Sequence, residues 1–438
     1  MRISLQDPSL VLLIGVSGSG KSTLASRWFE PTEVVSSDAC RALVADDPSD
    51  QCATASAFAV LHAIVRERLV HRRLTVVDAT NVQARARRAL LEIARHHDLP
   101  AAAIVLDPPV ALCERRAATR AGRPVEAEVV HRHREQLHKS LPALEQEGFA
   151  RVYLLREPAD VDESTVTREP LPVDRRAVAG PFDIVGDVHG CADELEELLA
   201  LMGYRLEGDV ARHGDGRLLV FAGDLVDRGP RVADVLRLVR ATIASGAALA
   251  VPGNHDDKLA RKLRGRNVKI AHGLQQSLDA LAPLDERERQ AIAAFVEAMP
   301  SHLVLDGGAL VVAHAGMREE LQGRDSRRVR DYAMFGETTG RIDEHGLPIR
   351  IDWAARYQGH AIVVYGHTPI HTPTWHNRTI DIDTGCVFGG ALTALRYPEM
   401  ALMNVPARRQ YAVPARPFLA THPDARDVAP EAPLRSPA

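Results

Sequence analysis

Five short motifs in the second half of the sequence place metal-binding side chains at similar positions. They are residues 186–190 (GDVHG), 223–229 (GDLVDRG), 253–256 (GNHD), 313–316 (AHAG) and 366–368 (GHT). Nearly all of them directly follow a short apolar run, so each is expected at the end of a strand. Mixed carboxylate, amide and imidazole ligands suit Mn²⁺, Fe, Zn²⁺ or Ni²⁺ better than Mg²⁺. The sequence therefore predicts a metal centre at one rim of a sheet.

Two metal ions bound side by side would use these ligands fully, because one carboxylate then bridges ions that lie about 3.5–4 Å apart. Asp224 is the predicted bridge. The other predicted ligands are Asp187 and His189 for one ion, and Asn254, His314 and His367 for the other. Paired divalent metals activate water and stabilise the oxygens of an in-line displacement at phosphorus. The predicted reaction is therefore hydrolysis of a phosphoester.

Three further side chains of the same motifs are expected to take part in that reaction. His255 is placed to protonate the leaving alkoxide, and Asp227 would orient its ring. Arg228 is expected to clamp phosphate oxygens, which a planar guanidinium binds in pairs. Any one of these residues alone would fit a structural role, but five such motifs in this order would not.

The first half carries a different phosphate-binding motif, residues 15–22 (GVSGSGKS), between an apolar run and a helical stretch. Glycines let backbone N–H groups curl around phosphate oxygens, and the helix N-terminus adds positive potential. Lys21 is expected to reach the β- and γ-phosphates of ATP, and Ser22 to bind Mg²⁺. The predicted ATP-binding residues of this P-loop are Gly15, Ser17, Gly18, Gly20, Lys21, Ser22 and Thr23.

Asp38 and Arg41 follow the next predicted strand and are expected at the same sheet edge as the P-loop. Asp38 can act as the base that accepts the proton of an attacking hydroxyl, and Arg41 can bind the acceptor. The alternative is a helix N-cap at Asp38 and a surface arginine at position 41. Asp78 ends the third predicted strand, where a magnesium-supporting carboxylate and an N-cap fit about equally.

A basic segment at 115–139 follows the fourth predicted strand. Arg116 and Arg120 share one helix face, and Arg123 lies where glycine and proline end the helix. These three arginines are predicted to form an ATP-binding lid that closes on the nucleotide and an anionic acceptor. A solvated arginine-rich helix is the alternative.

Apolar runs and amphipathic stretches divide the chain into two α/β domains. Strands and helices alternate in 1–155, which predicts a parallel sheet with helices on both faces. Residues 156–179 are polar with three prolines and are interpreted as a linker. Strands dominate the end of 180–412, which predicts a mixed-sheet sandwich with helices outside. Residues 413–438 are rich in proline and are interpreted as a disordered tail.

Composition excludes several classes of protein. The 438 residues include 54 Lys+Arg and 58 Asp+Glu, which excludes a globally basic nucleic-acid coat but not a local basic groove. Five scattered cysteines argue against a disulfide framework and predict a cytoplasmic location. No apolar run approaches the roughly 18 residues that span a bilayer, so no membrane partner is expected. The helical segment at 256–300 is either a cap over the metal site or the surface of a homodimer.

These motifs resemble known enzyme families over about residues 8–412. The second half resembles the binuclear phosphoprotein-phosphatase branch of the calcineurin-like metallophosphoesterases, whose fold is an αββα sandwich. The whole arrangement is similar to the bacterial polynucleotide kinase-phosphatases of RNA end healing. Two further blocks carry this resemblance, residues 335–340 (FGETTG) and 381–390 (DIDTGCVFGG).

The resemblance implies a kinase and a phosphatase that act on RNA ends, with DNA ends left open. The kinase would transfer the γ-phosphate of Mg²⁺-bound ATP to a 5'-hydroxyl. The phosphatase would remove 2',3'-cyclic, 2'- and 3'-phosphates with two divalent metals, of which Mn²⁺ is favoured, and Asp383 would bind its substrate. Longer members of the family continue into a ligase-like module, for which 413–438 has no room. A separate RNA ligase or adenylyltransferase is the expected partner unless the chain is part of a longer protein, and an RNA 3'-terminal methyltransferase is an open second partner.

Three alternative functions remain open at the level of sequence. A Ser/Thr protein phosphatase or a dinucleoside tetraphosphate hydrolase, fused to a P-loop ATPase, would carry the same metal motifs. The P-loop and the arginine segment favour nucleic-acid ends, because neither rival hydrolase needs them. The third alternative is a nucleotide-gated scaffold for a ligase. The presence of Lys21, Ser22, Asp38 and every expected metal ligand argues against the scaffold.

Overall fold

The computed structural model describes residues 1–119 and 124–419 and divides the chain into two compact units. The first unit comprises Met1–Leu171 together with Arg324–Ser326, and the second comprises the rest. Arg120, Arg123 and most of the predicted tail, from residue 420, lie outside the described residues. Within the described ranges, no helix is both long and apolar enough to cross a membrane.

Strands and helices alternate through most of the first unit. Its strands are β1 (Arg2–Asp7), β2 (Leu10–Ile14), β3 (Val34–Ser36), β4 (Thr75–Asp78), β5 (Ala101–Leu106), β6 (Arg151–Leu155) and β7 (Thr165–Pro170). Its helices are α1 (Lys21–Trp28), α2 (Ser37–Ala45), α3 (Thr54–Val70), α4 (Ala84–His96), α5 (Val110–Ala118), α6 (Ala127–Ser140) and α7 (Pro158–Asp162).

Five strands of the first unit form one parallel sheet in the order β3-β4-β2-β5-β6. Strands β2 and β5 are apolar and buried at every position, as expected when helices cover both faces of a parallel sheet. Because the strands are parallel, the segments that follow β2, β3 and β4 meet at one edge. The predicted fold of this half is confirmed, and that edge carries the P-loop.

The second unit begins with short strands and ends with longer ones. Its strands are β8 (Asp174–Arg175), β9 (Phe182–Val185), β10 (Tyr204–Glu207), β11 (Val210–His213), β12 (Leu218–Phe221), β13 (Ala248–Ala250), β14 (Leu303–Leu305), β15 (Leu310–Val312), β16 (Thr338–Ile342), β17 (Pro348–Arg350), β18 (Ile362–Tyr365), β19 (Trp375–His376), β20 (Thr379–Asp381), β21 (Ala391–Tyr397) and β22 (Ala401–Pro406). Its helices are α8 (Ala192–Leu201), α9 (Val232–Ala244), α10 (Asn254–Leu263), α11 (Leu274–Leu281), α12 (Glu286–Ala298) and α13 (Arg327–Phe335).

Two mixed sheets of the second unit pack against each other. One has the order β13-β12-β9-β21-β22, and the other has the order β19-β20-β18-β15-β14-β8. Alternate apolar residues of both sheets, such as Ile184, Val220, Val312 and Val364, share one fully buried core. Separate cores join the outer faces to α8–α12 on one side and to α13 on the other. The predicted αββα sandwich is confirmed.

The segment at 156–179 forms ordered elements and is not a linker. Within it, β7 pairs in parallel with β1, from Arg2–Thr165 to Asp7–Pro170, and β8 pairs with β14. The polar, proline-containing composition gave no strand signal because β7 is a largely exposed strand with one distant partner. The division between the two units therefore falls at Leu171–Pro172 rather than inside a free connector.

A buried ion pair of the first unit carries a stability prediction. The Arg87 side chain is fully buried, and its guanidinium donates to both carboxylate oxygens of Glu147 at 2.7 and 2.5 Å. Glu147→Ala would leave this cation uncompensated, which costs roughly 3 kcal/mol or more. We expect the free energy of amide protection in the first-unit sheet, measured by hydrogen–deuterium exchange, to fall by about that amount. Glu145→Ala, at an exposed position on the same segment, should leave protection unchanged.

Candidate active sites

The P-loop between β2 and α1 has the backbone that a phosphate cradle requires. Gly18 and Gly20 have φ angles of 77° and 100°, in the left-handed region that other residues rarely adopt. The Lys21 ammonium is buried and donates to the carbonyl oxygens of Gly15 and Val16 at 3.0 and 2.8 Å. The loop thus holds its lysine at the centre of the turn, where a nucleotide phosphate would bind.

Asp78, at the end of β4, lies beside the P-loop hydroxyl. Ser22 Oγ donates to Asp78 Oδ2 at 2.7 Å. The N-cap position of helix α4 is occupied by Gln83. Asp78 is therefore not the N-cap, and that alternative is wrong. A hydroxyl bonded to a strand-end carboxylate is the pair that holds Mg²⁺ in P-loop NTPases. The oxygen donors of this pair suit such a hard cation. Ser22 and Asp78 therefore fit a magnesium ion that accompanies ATP.

Asp38 and Arg41 form an ion pair on the first turns of α2. The N-cap of α2 is Ser36, whose Oγ accepts the Asp38 N–H at 3.2 Å, so the capping alternative for Asp38 is wrong. The Arg41 guanidinium donates to the Asp38 carboxylate and, at 3.0 Å, to the Pro48 carbonyl. Both side chains line the same cavity as the P-loop. A carboxylate and a guanidinium thus lie in the cavity beside the P-loop, as the predicted roles of Asp38 and Arg41 require.

The cavity over the P-loop has a volume of about 1120 Å³, large enough for a nucleotide and a second ligand. Arg116 of α5 lines it, as predicted for the lid. Sequence analysis missed Gln51 and Phe58 near the start of α3 and His133 of α6, which also line it. No motif marks these three residues, because amphipathic helices carry such side chains without any ligand role.

The predicted metal ligands of the second unit converge at one rim of the sandwich. Each follows a strand within a few residues: Asp187 follows β9, Asp224 follows β12, Asn254 follows β13, His314 follows β15 and His367 follows β18. Two groups have ligand atoms within 4.8 Å of one another, His189–Asp224–His255 and Asp224–His314–His367. Asp224 belongs to both groups, which is the position expected of a bridging carboxylate.

His314 is at the centre of one ligand group. Its Nδ1 donates to the Ala222 carbonyl at 3.1 Å, so Nε2 faces the other ligands. Nε2 lies 3.1 Å from Asn254 Oδ1, 3.4 Å from Asp224 Oδ2 and 2.9 Å from His367 Nδ1. Converging carboxylate, amide and imidazole acceptors repel one another unless a cation or a proton lies between them. The donor set therefore fits a divalent metal.

His189 and Asp187 are the two predicted ligands of the other ion. His189 Nδ1 donates to the Val226 carbonyl at 2.7 Å, which leaves Nε2 facing Asp224 Oδ2 at 3.5 Å. The Asp187 carboxylate accepts the His367 N–H at 3.1 Å. A Cβ on Gly366 would lie 2.2 Å from Asp187 Oδ1, so glycine is required for this close approach.

Buried carboxyl groups crowd this rim. Burial and the neighbouring Asp383 and Asp224 raise the pKa of Asp187 well above its usual value. Burial likewise raises the pKa of Asp383 to about 6. Burial acts in the same direction on Asp224, but the adjacent His314 and His255 hold the pKa of Asp224 well below its usual value. So many buried acids need a compensating positive charge, which divalent metals supply.

His255, Asp227 and Arg228 are connected as the sequence predicts. His255 Nδ1 donates to Asp227 Oδ2 at 2.6 Å, which leaves Nε2 facing the cavity. Arg228 Nη2 lies 2.8 Å from that Nε2, and Nη1 contacts His189 Nε2. Asp383 also lines the cavity, and its carboxylate accepts the Gly385 N–H at 3.0 Å. These side chains can therefore bind and protonate a phosphate substrate at the metal rim.

Five residues of this site have positive φ angles without being glycine. They are His189 (44°), Asp224 (46°), Asp227 (73°), Arg228 (71°) and His367 (78°). Such conformations cost of order 1–3 kcal/mol each and persist where the surrounding structure imposes them, most often at active sites. The sharp turns aim consecutive side chains of one motif at the same point, which a regular strand end would not do.

A cavity of about 260 Å³ opens above the metal rim, and several residues that line it were missed by sequence analysis. Cations line it at Lys258, Arg350 and Arg416, and aromatic rings line it at His272, Phe388 and Phe418. Lys258 and His272 belong to the helical segment at 256–300, so that segment contributes to the site as one of its two predicted roles requires.

Ser277 of α11 is expected to be a positioning residue for His255. Its buried Oγ donates to Asp227 Oδ1 at 2.5 Å and accepts the Asp227 N–H at 2.9 Å. Ser277→Ala should loosen Asp227 and lower kcat about tenfold with little change in KM, the effect typical of lost support behind a site residue. Steady-state kinetics on a phosphomonoester measure this split. Ser245→Ala, which removes a hydroxyl that bonds only to the Thr242 carbonyl, is the control.

Comparisons with known proteins agree with this geometry. The calcineurin-like phosphoesterase profile matches residues 180–395, and the AAA domain profile matches residues 10–144. A bis(5'-nucleosyl)-tetraphosphatase (asymmetrical), PrpE, of Anoxybacillus flavithermus is 45% identical over 242 residues, which are 54% of this chain and 99% of that protein. The chain belongs to the calcineurin-like phosphoesterases. The PrpE proteins of Bacillus subtilis (46% identity, 52% of this chain, 96% of theirs) and Halalkalibacterium halodurans (47%, 52% and 94%) are similar as well.

Members of this phosphoesterase family use two divalent metals, and the two ligand groups that share Asp224 fit such a pair. The PrpE proteins match the phosphatase half alone. The first unit is accordingly a P-loop domain of the AAA type joined to a calcineurin-like phosphoesterase.

Proposed function

We propose that the chain is a bifunctional RNA end-healing enzyme. One observation carries the proposal: a single chain holds a P-loop cavity with a base–arginine pair and a separate phosphoesterase site. Many ribonucleases leave a 5'-hydroxyl and a cyclic phosphate, whereas ligation needs a 5'-phosphate and a free 3'-hydroxyl. One kinase and one phosphatase supply both conversions. A separate ligase or adenylyltransferase would then use the ends, in the cytoplasm, where the five free cysteines stay reduced.

In the kinase unit, the P-loop and Lys21 hold the phosphates of ATP, and Ser22 with Asp78 holds Mg²⁺. Asp38 accepts the proton of the 5'-hydroxyl as that oxygen attacks the γ-phosphorus. Arg41 orients the acceptor and pairs with Asp38. Arg116 adds positive charge at the cavity wall, where charge develops on the transferred phosphoryl group.

In the phosphatase unit, Arg228 binds oxygens of the terminal phosphate and His255 donates a proton from Nε2 to the leaving oxygen. Asp227 accepts the hydrogen bond of Nδ1 and stabilises the imidazolium form of His255, in which Nε2 carries the proton that is transferred. The two ligand groups that share Asp224 would hold a pair of divalent metals, for which we favour Mn²⁺, and these would supply activated water and stabilise the phosphate oxygens. Asp383 borders the same cavity and is proposed to contact the substrate.

A second candidate function is hydrolysis of dinucleoside tetraphosphates. For the phosphatase unit taken alone, the relatives favour this activity over RNA ends, because the PrpE proteins at 45–47% identity are named bis(5'-nucleosyl)-tetraphosphatases. It assigns no role to the P-loop unit, which those relatives do not match. Both candidates share a nucleotide substrate whose phosphate is hydrolysed at the metal rim.

One experiment separates these candidates. The protein is incubated with ATP, Mg²⁺, Mn²⁺ and an RNA that carries a 5'-hydroxyl and a 2',3'-cyclic phosphate, and in parallel with diadenosine tetraphosphate. Mass spectrometry then reads both RNA ends and the nucleotide products. Gain of a 5'-phosphate with loss of the cyclic phosphate is the result that we expect. Cleavage of the tetraphosphate with both RNA ends unchanged would overturn end healing in favour of the second candidate. A phosphoserine peptide is assayed beside them, and hydrolysis of that peptide alone would exclude both candidate functions.

A further inference from the structure

The described part of the predicted tail, residues 413–419, lies over the phosphatase cavity, and we call it the C-terminal segment. The Leu419 N–H donates to the Pro369 carbonyl at 3.0 Å, two residues after His367. Arg416 Nη1 pairs with Asp343 Oδ2 at 3.3 Å. These contacts hold the segment in place, so its interpretation as a disordered tail is wrong. Phe418 and the four residues before it in the chain line the cavity.

Aromatic rings lead from the catalytic arginine to this segment. The Arg228 guanidinium lies 5.0 Å from the centre of the Phe388 ring. The Phe418 ring is 6.2 Å from Phe388 and 5.2 Å from His371, between ring centroids. The Phe418 ring also lies directly on Gly385, whose added Cβ would come within 2.3 Å of it. Phe388 and Phe418 both face the cavity, so flat apolar surface borders the phosphate-binding end.

The same cavity is also lined by cations. They are Lys258, Arg350 and Arg416, and the charge of Arg350 acts on His367 of the metal rim. Among the described residues that line the cavity, carboxylates occur at Asp224 and Asp383, which belong to the metal rim. Burial and then the like charge of Arg416 lower the pKa of Arg350 to about 10. Arg416 uses Nη1 for Asp343 and Arg350 uses Nη1 for the Phe335 carbonyl, so the other N–H donors of these two lining arginines favour an anionic ligand beside the aromatic surface.

We infer that the C-terminal segment forms the nucleoside-binding wall of the phosphatase site. Phe418, next to Phe388, stacks on the base adjacent to the hydrolysed phosphate. Arg416 and Arg350 bind the next phosphate of the substrate. The cavity of about 260 Å³ is near the lower end of ligand pockets, roughly 300–1000 Å³, so it suits one nucleotide rather than a protein loop. The inference rests on the proposed nucleotide substrate class, and it holds for an RNA end and for a dinucleoside polyphosphate alike.

Base recognition is tested with substrates that differ by one base. The full-length enzyme is assayed on a 3'-phosphorylated RNA trinucleotide and on the same trinucleotide with an abasic last residue. Diadenosine tetraphosphate and inorganic tetraphosphate form a second pair, which differs by both nucleosides rather than by one base. The wild type should prefer the base-containing member by kcat/KM, and Phe418→Ala should reduce this preference about tenfold through KM, as expected for one lost base stack. Phe418→Trp should keep the preference. Val413→Ala, at a position that is 83% exposed and does not line the cavity, should also keep it.

The outcomes separate this inference from the proposed function. An unchanged preference in Phe418→Ala overturns the inference while nucleotide hydrolysis stands. If Phe418→Ala instead raises kcat/KM equally for both members of a pair, the segment only obstructs the cavity. That result would also overturn the inference. Failure of the wild type on every nucleotide, with hydrolysis of a phosphoserine peptide, overturns the proposed function and the inference together.

The phosphate contact has its own test. Arg416→Gln should raise KM for the trinucleotide 3'-phosphate, which has a neighbouring phosphodiester, at least about fivefold more than for adenosine 3'-monophosphate, which has none. Arg409→Gln changes the same charge outside this cavity wall and should affect both substrates equally. Equal effects of Arg416→Gln on the two substrates would contradict a second phosphate site.

Discussion

The Asp224→Asn variant is expected to lose phosphatase turnover by about 1000-fold or more, while kinase activity stays within about twofold of the wild type. The reason is the shared position of this carboxylate. Asp224 Oδ2 lies 3.5 Å from His189 Nε2 and 3.4 Å from His314 Nε2, so one oxygen faces both ligand groups. Asp224 Oδ1 accepts the His255 N–H at 2.9 Å, which also ties the ligand to the predicted general acid. Asparagine keeps the shape but removes the negative charge.

Turnover of a phosphomonoester and the metal content of the purified protein measure this effect together. We expect the variant to bind fewer than two equivalents of Mn²⁺. Asp215→Asn is the matched control, because its side chain is 90% exposed in the loop before β12 of the same unit. Wild-type turnover with full metal content in Asp224→Asn would refute the bridging assignment. Loss of kinase activity as well would indicate misfolding.

Sequence pattern was sufficient for central strands such as β2 and β5, because every residue of these strands is apolar and buried. β6 (Arg151–Leu155) and β12 (Leu218–Phe221) are likewise short, largely apolar runs between turn residues, and such a run has few other conformations in a parallel or sandwich core. β1 (Arg2–Asp7) gave no such signal. Its partner β7 comes from the far end of the first unit, and the pair is partly exposed, so its register depends on tertiary structure rather than on local composition.

The metal ligands were predictable for a similar reason. A carboxylate or histidine directly after a buried strand has one location, the rim of the sheet, so spacing alone brought Asp187, Asp224 and His367 together. Spacing could not give the left-handed backbone at Asp224 or His367, because that conformation is imposed by contacts across the rim.

The cavity wall above the rim was not predictable from motifs. Phe418 and Arg416 belong to a proline-rich stretch whose composition is typical of disorder, and their position depends on pairing with Pro369 and Asp343. Arg350 is the last residue of β17, and the other residues of the β16–β17 hairpin strands are exposed. We therefore expect ligand specificity to depend on connecting segments, whereas the predicted chemistry depends on strand ends.

Asp38→Asn is expected to lower the rate of phosphoryl transfer by about 100- to 10,000-fold, the range for removal of a general base. The dissociation constant for ATP should stay within about twofold, because Asp38 pairs with Arg41, whereas Lys21 is the residue that the carbonyl oxygens of Gly15 and Val16 hold inside the P-loop. Lys21→Ala should instead weaken ATP binding and transfer together, since its ammonium is the cation held inside the loop. Single-turnover kinase assays and nucleotide titrations measure the two quantities separately.

Asp46→Asn is the matched control for this base. Asp46 ends the same helix α2, is exposed, and has a left-handed φ of 55°, a conformation that asparagine adopts as readily as aspartate. The control therefore removes one carboxylate from α2 without changing the backbone or the cavity. A full transfer rate in Asp38→Asn would refute its role as base. A loss of ATP affinity in Asp38→Asn equal to that in Lys21→Ala would place Asp38 in nucleotide binding instead, so the difference between the two variants is what assigns the acceptor side of the cavity.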